Sequence, residues 1–244
     1  MKKIILLLLV VALSVATLSS CNIFKNSQQS KDPDPAPVTK EPTALEKVAE
    51  MYRNSAPTKV TAVTTQTVTE DIELVCTYEL VNGTVDGAPA SVYTEKKQEL
   101  DTVESGGATE VIKPLVKDTV RVTEAIEGIG SRVNGGNWNA QGSVTNIVRG
   151  GMAIYLNEAY LTNVKYENNK LTFVIPVANV ATVLGDSYAT YIASDVYVTI
   201  ANDGAVITSI ELSYNLKANE AAKLGETAMV VKVEYTYDLE EITI

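Results

Sequence analysis

Carboxylates, tyrosines and two cysteines are the side chains with chemistry to offer in this 244-residue chain, which holds 30 Asp and Glu, 12 Tyr, a single Trp and no His. Without imidazole there is no Ser-His-Asp or Cys-His pair, and no His-ligated zinc or haem iron. No Ser is followed by Lys three positions on, which removes the S-x-x-K nucleophile. Gly185-Asp186-Ser187-Tyr188-Ala189 falls one residue short of a nucleophile elbow and has no base to serve it, so Ser187 reads as a turn hydroxyl. Gly128-Ile129-Gly130-Ser131-Arg132-Val133 opens like a dinucleotide fingerprint but lacks the third glycine. Asp32-Pro33-Asp34-Pro35 lacks the spacing of a calcium loop. A carboxylate pair for glycoside hydrolysis stays open, because it is made in space rather than in sequence. The expectation is a non-catalytic protein with no metal and no cofactor.

Two features point to binding instead. Residues 128–143 carry five glycines, three asparagines and Trp138. A loop of that length is either a plain hairpin with Trp138 tucked against the core, or a flap presenting Trp138 and Arg132 to a ligand. Gly150-Gly151 would be its second hinge. The second feature is tyrosine placement. Tyr78, Tyr214, Tyr235 and Tyr237 fall on apolar strand faces where Phe is the ordinary choice, and buried hydroxyls need partners. Such a face suits an amphiphile, with Tyr214, Tyr235 and Tyr237 as candidate ligand contacts, or a hydrated sheet under a helix.

The formal charge of −10 leaves no basic excess to displace counterions from a nucleic acid. The N-terminus gives an address. Met1-Lys2-Lys3 and the apolar run Ile4 to Val15 have signal-peptide proportions, too short for a comfortable span of ~20 residues. Leu18-Ser19-Ser20-Cys21 resembles a bacterial lipobox, which implies cleavage before Cys21, acylation of that cysteine and a place on the cell envelope. Two acyl chains anchor stably where one does not. Loss of Lys2 and Lys3 with residues 1–20 takes the formal charge from −10 to −12. Cys76 is then left without an internal disulfide partner and is read as core filler, sharing a face with Ile72, Leu74, Tyr78 and Leu80.

The elements that must position these groups follow in order. Residues 21–42 hold Pro33, Pro35, Pro37 and Pro42 among polar residues and read as a disordered tether. Residues 43–244 read as one β-rich domain. Thr43 and Glu46 form a capping-box pattern, and Leu45, Val48, Ala49 and Tyr52 make one helical stripe that Pro57 ends. From Lys59 on, Val, Thr, Ile and Tyr dominate. Period-two alternation is clean over 171–177, 210–216 and 231–239, which marks antiparallel sheet with one wet face. Asn82-Gly83, Asn168-Asn169 and Asn202-Asp203-Gly204 supply turn signals. A short second helix is expected from Ala178 to Leu184. The fold class is α+β and mostly antiparallel: a curved sheet packed against one or two helices.

This layout of lipobox, tether, amphipathic helix Leu45–Tyr52 and strands beginning at Thr58-Lys59-Val60-Thr61 resembles the LolA- and LppX-type half-barrel lipoproteins. Leu171-Thr172-Phe173-Val174-Ile175-Pro176 and the strands at 207–216 and 230–239 are similar to the later strands of that fold. The resemblance implies an open barrel closed by helices and a lipid or amphiphile bound in its concave face. No functional residue of that family maps onto this chain. The alternative expectation is a tethered surface module that binds protein or polysaccharide without a ligand cavity.

Overall fold

The computed structural model describes residues 41–101, 115–144, 154–219 and 224–238, with Ile242 and Ile244. Cys21, the tether up to Lys40 and the Gly150-Gly151 pair lie outside them.

Helix α1 (Ala44–Asn54) begins as its sequence dictates. The Thr43 hydroxyl accepts from the Glu46 amide at 3.2 Å, and the Glu46 carboxylate accepts from the Thr43 amide at 2.7 Å. Leu45 and Val48 are its buried stripe. Strands β1 (Lys59–Thr69), β2 (Ile72–Val85), β3 (Ala88–Asp101), β4 (Leu115–Ile126) and β5 (Gly130–Val133) follow as a meander. A second meander runs through β6 (Thr162–Glu167), β7 (Lys170–Ile175), β8 (Val196–Asn202), β9 (Ile207–Leu216) and β10 (Thr227–Thr236). Between β7 and β8 lie a 3-10 turn (Val177–Asn179) and two short helices, α2 (Val180–Leu184) and α3 (Asp186–Tyr191).

The ten strands form one antiparallel sheet in the order β5-β4-β3-β2-β1-β10-β9-β8-β7-β6, curled but not closed. The first and last strands therefore meet at its centre, with Val60 opposite Tyr235 and Ala62 opposite Val233. Each meander spreads outward from that seam. The mostly antiparallel α+β reading is thus the observed fold.

Register gives every strand an inner face, toward the helices, and an outer one. On the inner face Leu171, Phe173, Ile175, Val196, Val198, Ile200, Ile210, Leu212, Val231 and Val233 pack with Leu45 and Val48 of α1, with Val180, Val183 and Leu184 of α2, and with Ile192. Leu171, Ile175, Ile200, Ile210 and Leu212 are essentially without solvent exposure. This core occupies the β1 and β7–β10 half. A smaller cluster lies on the outer face of the other half, where Ile242 and Ile244 of the C-terminal tail pack over Val81, Ala90, Val92 and Ile126.

One turn differs from expectation. Asn82-Gly83 does not separate strands but lies inside β2, opposite Ser91 and Ala90. The chain turns at Asp86-Gly87 instead, with φ of 50° and 81°, the left-handed pair that suits a two-residue hairpin. The Asn168-Asn169 signal stands, with φ of 51° and 60° between β6 and β7. Pro176 ends β7, so Val177 leaves the alternation and is exposed.

Candidate functional site

Three regions hold the side chains with something to offer a ligand. The first is the β5 edge. Ser131 and Asn139 exchange backbone hydrogen bonds of 3.0 and 2.7 Å, folding residues 137–142 back over β5. A Cβ at Gly130 would meet the Asn139 backbone, and one at Gly142 would meet Ser131. These glycines permit close packing of one chain segment on another. Arg132 donates through Nε to the Glu124 carboxylate on β4, and its guanidinium lies 4.9 Å from the centre of the Trp138 ring. Trp138 is 36 % exposed. The pair is thus held in an ion pair and a cation–π contact on the strand edge.

Tyr214, Tyr235 and Tyr237 sit in the other half of the sheet, so the structure does not gather them with Trp138 and Arg132. Five strand positions separate β5 from β10. Tyr214 and Tyr235 are buried in the main core, and burial pushes both phenols well above their ordinary range near 10. Tyr237 donates its hydroxyl to the Ile207 carbonyl at 2.5 Å. Ser55, at the end of α1, accepts from the Ile207 amide at 3.2 Å and donates to the Met51 carbonyl at 2.8 Å. Ser55 and Tyr237 therefore clasp the start of β9 to α1 and β10. Cys76 is buried and free, as its neighbours on β2 imply.

Of the second region the sequence points only to the β2 side, Tyr78 with Leu74, Cys76 and Leu80, and not to its β3 partners. On the inner face of β2 and β3, beyond the helices, Tyr93 donates to Glu95 at 3.0 Å and Lys97 pairs with the same carboxylate at 3.2 Å. The Lys97 ammonium lies 5.8 Å from the centre of the Tyr78 ring. Both charged side chains are less than one-fifth exposed. Burial, then the Glu95 charge, raises the Tyr93 phenol; burial, then Cys76, raises that of Tyr78. Arg121 stands opposite Glu95 on β4, and Leu74, Cys76 and Leu80 adjoin the cluster on β2. The signal was the period-two spacing of Tyr93, Glu95 and Lys97, which acquires meaning only once β2 and β4 are in register beside it.

The third region is the outer face of the helix-covered half. One row of paired residues crosses six strands with no charge in it: Val75, Thr65, Val230, Ser213, Tyr197 and Val174. Tyr197 is 61 % exposed and Val230 is 40 % exposed. Beside them an open groove of about 430 Å³ is lined by Ser194, Asp195, Tyr197, Ser213, Asn215 and Val230, among others.

Among the described residues no group of three or more Cys, Asp or Glu is placed to hold a metal ion, and no helix is long and apolar enough to cross a membrane. No protein-family model matches the chain, and no curated protein is similar enough to it to count as a match.

Proposed function

We propose that this chain is a membrane-anchored, non-catalytic module of the bacterial cell envelope, held by acylated Cys21 and binding its partner on the surface of the sheet. The observation that carries this is the contrast between the two faces of the same strands. The inner face of β1 and β7–β10 is filled by its own side chains, with Leu171, Ile175, Ile200, Ile210 and Leu212 essentially unexposed. A close-packed interior of that kind has no room for a ligand chain. The outer face of those strands presents Tyr197 and Val230 to solvent beside a groove.

The amphiphile reading draws support from a different place, the inner face of β2–β4. There Tyr78, Tyr93, Glu95 and Lys97 adjoin Leu74, Cys76 and Leu80, an apolar strip with polar groups beside it.

Two experiments test the proposal. Metabolic labelling with palmitate should mark the wild-type chain and fail to mark Cys21→Ser; label retained in that variant removes the anchor. A soluble form starting at Glu41 keeps every described strand and helix. Titrated with a fluorescent fatty acid, it should show no saturable uptake. Saturable 1:1 uptake that Lys97→Glu abolishes would replace the surface module with an amphiphile carrier.

A further inference from the structure

We infer that the groove beside Tyr197 is a subsite for an uncharged glycan; this rests on the surface-module reading and gives it a ligand class. Tyr197 lies on the outer face of β8 between Ser213 of β9 and Val174 of β7, so its ring stands on a sheet and not on a loop. At 61 % exposure it leaves much of its surface to solvent. The apolar C–H face of a sugar ring is the natural partner of an electron-rich aromatic face, and its rim of hydroxyls then needs donors and acceptors close by.

Those groups are present. Ser213 and Asn215 sit two residues apart on the outer side of β9, and neither the Ser213 hydroxyl nor the Asn215 side-chain amide has a partner among the described residues. The Asp195 carboxylate accepts from the Val177 amide at 2.8 Å through one oxygen, which leaves the other to accept from a ligand. Ser194 is already engaged, donating to the Asp195 carbonyl at 3.0 Å and accepting from the Asn215 amide at 2.8 Å, and it fixes the geometry of the rim. Val230 adds an apolar floor. The groove, at about 430 Å³, falls in the roughly 300–1,000 Å³ range of small-ligand sites.

Charge selects the class. Among the described residues Asp195 is the one acidic side chain lining the groove and no Lys or Arg lines it, and the chain carries −10 overall. An acidic polysaccharide would be repelled and would find no counter-charge. A neutral glycan meets neither obstacle.

The test is affinity electrophoresis of the full chain in a polyoxyethylene detergent. The gels contain a soluble β-glucan, a mannan, amylose or a galactan, with polygalacturonate as the acidic comparison. At least one neutral polymer should retard the wild type, and Tyr197→Phe should be retarded equally. Tyr197→Ala should lose about tenfold or more in affinity, the usual cost of removing a central aromatic anchor. Added salt should change little. Asn215→Ala should weaken binding without altering the melting temperature. No retardation by any neutral polymer overturns the assignment, as does equal retardation of wild type and Tyr197→Ala, or retardation by polygalacturonate alone. The fatty-acid titration of the soluble form judges the surface-module reading separately, so the two can fail independently.

Discussion

The two meanders are built from the same kind of strand and pair through the same seam, yet they end as different objects. In the β7–β10 half the inner positions are aliphatic or aromatic except for Asn202 and Thr227 at strand ends, three helices cover that face, and most of the side chains are nearly inaccessible. In the β2–β5 half β2 and β3 are longer, at 14 residues each, and their inner positions include Tyr78, Tyr93, Glu95 and Lys97, tied together by an ion pair and a phenol hydrogen bond. Its aliphatic cluster is small and lies on the opposite face, under Ile242 and Ile244. An antiparallel ladder supplies backbone pairing to both halves alike. What sets them apart is whether the inner positions carry groups that a helix can cover without stranding a charge.

The largest effects should fall in the covered half. Leu212→Ala removes a side chain with no exposure from a central strand and should cost about 3–5 kcal/mol in urea unfolding. Leu74→Ala, buried on the inner face of β2, should cost about 2 kcal/mol. Equal losses would erase the distinction between the halves.

Next comes the clasp on Ile207. Ser55→Ala leaves the buried Ile207 amide without its acceptor and should cost about 1–3 kcal/mol, with the amide exchange of α1 and β9 rising together. Tyr237→Phe, which removes the hydroxyl from the Ile207 carbonyl, should cost about 1 kcal/mol. Thr43→Ala removes the cap of α1 and should cost a similar ~1 kcal/mol, lowering the thermal midpoint without touching the β2–β5 half.

The smallest effects are pH-dependent. Asp203 in the β8–β9 turn accepts from the Val206 and Ala205 amides, which hold its carboxyl below the ordinary range near 4. Its contribution is therefore present above that range and is lost as pH falls through the depressed value. Asp203→Asn should flatten the acid side of the stability curve slightly. At the alkaline end the sign reverses. Tyr191, Tyr214 and Tyr235 are raised by burial, so their contribution is complete below pH ~10 and is lost as pH climbs above it. Absorbance at the phenolate band should show these rings ionising together with unfolding.

Local chemistry was legible in the sequence and long-range pairing was not. The Thr43–Glu46 box, the alternation of 231–237 and the Asn168-Asn169 turn each depend on neighbours within a few residues. The central seam joins Thr58 to Thr236, 178 residues apart, and no pattern along the chain selects that pairing over others. Asn82-Gly83 misled because Asp86-Gly87 carries the same turn chemistry four residues on, and the turn there lets β2 keep its alternation through Val85. Tyr214 and Tyr235 stand out in the sequence as phenols on an apolar strand face; the structure buries both in the core, with Tyr214 also among the residues lining the groove. Tyr197 went unremarked because an aromatic on a wet strand face shows its worth only when Ser213, Asn215 and Asp195 are set around it.

The central claim is that the helix-covered interior is closed and binding happens outside it. Native mass spectrometry of the soluble form starting at Glu41, after incubation with a lipid extract of the bacterial cell envelope, tests this most directly. A single species at the polypeptide mass is the predicted result. A stoichiometric adduct of lipid mass, released on unfolding, would contradict it.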